Sequence, residues 1–109
     1  MSIVIQIDNL FKRMADAGVV NIPKRQYAVR HGTEDFKVLF DSKLKRAGIW
    51  MKTDHIDKPG KEVYIQVARF YPRCTSWTGT PRTDTWMNKF VAVLEAAEAI
   101  IVKEHQDGK

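Results

Sequence analysis

The stretch GTEDFKVLFDSKLKRAG, residues 32–48, decides the fold. At helical spacing Phe36, Leu39, Phe40, Leu44 and Ala47 share one stripe. Thr33 stands where an N-cap belongs. Glu34 and Asp35 suit the positive end of a helix dipole, and Lys43, Lys45 and Arg46 suit its negative end. Gly48 follows as a C-terminal stop. At period two the same letters form a hairpin instead, with QYAVRH and FKVLF as strands around His31-Gly32. Caps, dipole and stripe agree with one another, so a helix over 33–47 is predicted.

On the N-terminal side, Ile3, Ile7, Leu10, Phe11 and Met14 fall at helical spacing, with Ser2 as a cap and Gly18 as a stop. VVNIPKR then reads as a connection, because Pro23 has no amide hydrogen and a fixed φ. On the C-terminal side, 49–56 and 62–71 read as a β-hairpin around DKPGK, where Pro-Gly supplies the turn. Val63, Ile65 and Val67 make a greasy face, and Tyr64, Gln66 and Ala68 a semi-polar one. That is the pattern of a sheet covered on one side. In the last segment Trp86, Phe90, Val93, Leu94, Ala97 and Ile101 form a helical stripe behind a cap at Asp84 or a neighbouring threonine. Met87, Val91, Ala92, Ala96, Ile100 and Val102 widen the stripe, which predicts burial on two sides or a homodimer through this helix. The expected fold is α+β: a small single domain, an antiparallel hairpin or short sheet packed by two or three helices, with a long C-terminal helix. Residues 1–109 form that domain, 105–109 being a short charged tail.

The 109 residues are enough for one core. Hydrophobic residues make up 44% and charged residues 28%, ordinary for a globular chain. One cysteine, Cys74, permits no internal disulfide, which fits a reducing compartment and a cytoplasmic location. No apolar run reaches the roughly twenty residues that cross a bilayer, so no membrane association is expected. The opening residues lack a basic leader and a small-residue cleavage pattern, and read as structure. A net charge of +5 and a pI of about 9.5 favour approach to polyanions; a charge of this size also serves solubility alone.

Motifs with built-in chemistry are missing. His31, His55 and His105 are scattered, and no CxxC, HxxxH or HExxH occurs, so no metal site is expected. No GxGxxG or GxxxxGK[ST] is present to cradle phosphate, and no cofactor is expected. Arg73 precedes Cys74, but one adjacent cation is weak support for a reactive thiol. Asp35, Asp41, Asp54 and Asp57 could gather around Mg²⁺ in a nuclease, though turn and cap roles account for Asp35 and Asp57.

The basic-aromatic stretches carry more. KRQYAVR holds Lys24, Arg25 and Arg30, and KLKR holds Lys43, Lys45 and Arg46. RFYPRCTSWTGTPRTDTW, residues 69–86, adds Arg69, Tyr71, Arg73, Trp77 and Arg82. Cations neutralise phosphates, hydroxyls hydrogen-bond to them, and exposed rings stack on unpaired bases. The competing account folds Tyr71 and Trp77 back over the core, since tryptophans are usually largely buried. The reading is a non-enzymatic module that binds nucleic acid, DNA or RNA, through the 69–86 loop and the two basic runs. Second comes a protein-interaction or inhibitor module on a larger host complex, because Trp, Tyr and Arg dominate interface energetics. A metal-dependent nuclease is a distant third. In composition the chain resembles small phage or plasmid accessory proteins, a likeness that places no functional residue.

Overall fold

Residues 33–47 are not a helix. The computed structural model describes residues 3–55, 58–70, 75–77 and 84–108. Its elements are α1 (Ile3–Asp16), β1 (Tyr27–His31), β2 (Glu34–Asp41), β3 (Arg46–His55), β4 (Lys58–Phe70), β5 (Thr75–Trp77) and α2 (Asp84–Asp107). The five strands form an antiparallel sheet in chain order, β1-β2-β3-β4-β5.

The strand wins in 34–41 because of what it buries. Phe36, Val38 and Phe40 are each fully buried on one face, while Lys37 and Leu39 point to the other. A helix would have asked Leu44 to share the buried stripe, and Leu44 is 47% exposed. The residues that suggested caps serve turns instead. Gly32, at φ 63°, and Thr33 close the β1–β2 hairpin; glycine at the first central position is the type II′ arrangement. At the other end Asp41 Oδ1 accepts the Leu44 amide at 3.0 Å, and Lys45 takes a left-handed φ of 56° before β3 begins.

The β3–β4 hairpin appears where the sequence placed it and runs longer than expected. Its simple alternation fails at one point. Ile49 pairs with Ala68 but Trp50 pairs with Gln66, so a bulge at Val67 shifts the phase of β4. Val67, Ala68 and Phe70 are buried, whereas Ile65 is 48% exposed at the far end of the hairpin.

Both helices follow their stripes. Ile7, Leu10, Phe11 and Met14 of α1 are buried, as are Phe90, Val93, Leu94, Ala97 and Ile101 of α2. α1 ends as the glycine predicted: Gly18, at φ 94°, donates to the Ala15 carbonyl and Val19 to that of Met14, the paired bonds of a Schellman motif. The two helices lie on the same side of the sheet and share one core with it. Phe11 meets Phe40 edge-on at 5.7 Å, and Phe70 meets Phe90 at 6.4 Å. Met87, Val91, Ala96, Ile100 and Val102 shoulder that core. Arg13 of α1 donates twice to Glu98 of α2 at 2.9 Å, and Lys89 of α2 reaches Glu34 of β2 at 2.6 Å. The result is an α+β domain whose sheet is packed by helices on one face. No helix among the described residues is long and apolar enough to cross a membrane.

Candidate functional site

Cross-strand pairing fixes what the other face carries. Val38 pairs with Ile49 and Phe40 with Ala47, all turned to the helices, so their neighbours turn away. Those neighbours are Arg30 of β1; Asp35, Lys37, Leu39 and Asp41 of β2; Arg46, Gly48, Trp50 and Lys52 of β3; and Glu62, Tyr64, Gln66 and Arg69 of β4. No described helix covers this face.

Among the described residues, Trp50 and Tyr64 are the rings on it. Both are half-buried, which leaves part of each ring open. Lys37 pairs across the sheet with Trp50, and its Nζ sits 4.1 Å from the centroid of Tyr64, a cation on the face of that ring. Gly48 gives Trp50 its place. A β-carbon there would come within 3.0 Å of Trp50 Cζ3 and 3.1 Å of Gln66 Nε2. The six-membered ring and the amide therefore both rest over the glycine. Beside them opens a shallow pit of about 240 Å³, bounded by Leu39, Asp41, Arg46, Trp50, Gln66 and Arg69.

Charge divides the face into two ends. At one end Lys52 holds Glu62 at 2.6 Å and approaches Asp35 at 3.8 Å, and Arg30 also reaches Asp35 at 3.8 Å. These cations are matched by acids, and the Glu62 hydrogen bond raises the Lys52 ammonium above its usual value. At the pit end Asp41 is the only carboxylate among the described lining residues. The Leu44 amide, and then the charges of Lys24 and Arg46, hold it below the usual carboxylate range. The pit end is thus basic and the hairpin end is balanced.

The sequence-predicted residues separate accordingly. Arg30, Arg46 and Arg69 stand on the open face. Lys24 lies close enough to Asp41 to act on its charge, in the connection before β1 that the Ile22 amide ties to Ser42 Oγ at 3.1 Å. Lys43 and Lys45 lie in the β2–β3 turn at the same end, Lys45 reaching back over the Phe11 ring at 5.3 Å. Arg25 is elsewhere: its guanidinium lies on the Tyr27 ring at 4.1 Å and is bound to Glu104 of α2. Tyr71, Arg73 and Arg82, with Cys74, lie outside the described residues. So does the side chain of Trp77, whose backbone pairs with Ala68. Of the four aspartates weighed for Mg²⁺, Asp35 and Asp41 sit at opposite ends of β2, and Asp57 and the side chain of Asp54 lie outside the described residues. Among the described residues no three His, Cys, Asp or Glu are placed to hold a metal.

Sequence reasoning put Tyr64 and Gln66 on one face of their strand but missed Lys37, Gly48 and Trp50 as their neighbours on that surface. The alternation of FKVLF held the signal, since fixing Phe36, Val38 and Phe40 inward sends Lys37 outward and, by pairing, Trp50 with it. Compared with known proteins, the chain matches no family model, no curated protein and no solved structure, so the reading of its function rests on this face.

Proposed function

We propose that this protein is a small binding module that takes single-stranded nucleic acid on the open face of its sheet. One observation carries the reading: Trp50 and Tyr64 share a helix-free face with Lys37, at whose basic end Arg46 and Arg69 line a pit, with Lys24 and Lys43 close to its Asp41. Rings in that setting offer π-faces to unpaired bases, and the cations offer phosphate contacts on either side.

The test is fluorescence anisotropy of a labelled oligothymidine across a salt series. Affinity is expected to fall log-linearly with salt, with a slope of roughly −0.7 per phosphate neutralised on a single strand. Trp50→Ala is expected to weaken binding about five- to a hundredfold, the worth of one stacked base. Affinity indifferent to salt, or unchanged by Trp50→Ala, overturns the proposal and points to a protein partner on this face.

A further inference from the structure

We infer that the pit beside Trp50 and Gln66 seats one unpaired guanine. This rests on the single-strand reading above and goes beyond it by naming the base.

The pit opens beside the Trp50 ring and the Gln66 amide, which cover Gly48, and Leu39 also lines it. Its polar groups have fixed directions. Arg69 Nε donates to Gln66 Oε1, so the amide oxygen is engaged there and its NH2 is left at the pit, next to Gly48. Asp41 spends one oxygen on the Leu44 amide and keeps the other lone pairs of its carboxylate. The same amide and the nearby cations keep that carboxylate ionised.

Complementarity then selects among bases. Guanine alone presents two adjacent donors, N1–H and the N2 amino group, which one carboxylate accepts side by side. Its O6 and N7 are acceptors, suited to the donors of Gln66, Arg46 and Arg69. Adenine would turn the lone pair of N1 against the carboxylate. Thymine and uracil bring one donor flanked by two acceptors, and cytosine brings one donor beside an acceptor.

The experiment compares an oligothymidine carrying one central guanine with the same strand carrying adenine, by anisotropy at one salt concentration. The guanine strand is expected to bind about fivefold tighter or more, the discrimination of one bidentate contact. Asp41→Asn keeps an oxygen for the Leu44 amide but removes the carboxylate. With its fold checked by circular dichroism, it is expected to bring the guanine-to-adenine ratio close to one. Salt-sensitive binding with equal affinities for both strands overturns the guanine site and leaves the single-strand reading standing. A ratio that survives Asp41→Asn also overturns it. No binding to either strand overturns both.

Discussion

Tyr27 shows how much one atom can decide. Its ring is buried in the shared core, yet its hydroxyl has no hydrogen-bond partner among the described residues. The Arg25 guanidinium meets the face of the ring, and burial pushes the phenol above its usual value. Tyr27 borders a cleft of about 240 Å³ lined also by Val19, Ile101 and His105, whose Nε2 is likewise buried and unpartnered among the described residues. A buried hydroxyl without a partner subtracts from stability. Tyr27→Phe should therefore leave stability unchanged or raise it by up to about 1 kcal/mol in denaturant melts. A loss of that size would mean that the hydroxyl has found a partner, such as bound water.

Among the elements, β2 separates what the sequence showed from what it concealed. Its side chains fit both periods, and only the partners arbitrate: β1 and β3 flank it and bury three large residues in alternation. Val38→Ala should cost about 2 kcal/mol, from two lost methyl groups and the cavity they leave, whereas Leu39→Ala should cost under about 1 kcal/mol. Equal costs would contradict the strand. The elements whose register is local were legible: α1 with its Gly18 stop, the β3–β4 hairpin and α2. The bulge at Val67 was not, because it depends on how β3 lies beside β4 and no residue nearby announces it. For the same reason Arg46 and Arg69 were legible as cations but not as neighbours of Trp50, since that proximity is a product of pairing.

The turn after β2 carries a pH dependence. Asp41 in the folded chain titrates below its unfolded value, chiefly through the Leu44 amide. Its contribution is complete above the unfolded value and disappears as pH falls through the folded one. Thermal melts from neutral pH down to about pH 2 should fall less steeply for Asp41→Asn than for the wild type. Parallel acid limbs would show that the turn does not depend on the charge.

In the whole molecule one core joins both helices to the sheet, so no layer has enough apolar surface to stand alone. Far-UV circular dichroism and tryptophan fluorescence should report a single, coincident unfolding transition; separate midpoints would mean that helices and sheet come apart independently. The helices also bind the ends of the described chain together. Arg13 faces Glu98 and Leu10 lies near Leu94, although the whole sheet intervenes in sequence. Such long loops make closure slow. During synthesis on the ribosome, then, Phe36, Val38 and Phe40 must wait beneath an unfinished roof until α2 is translated. A nascent chain stalled before Asp84 would present a sticky half-sandwich, the natural client of a holding chaperone.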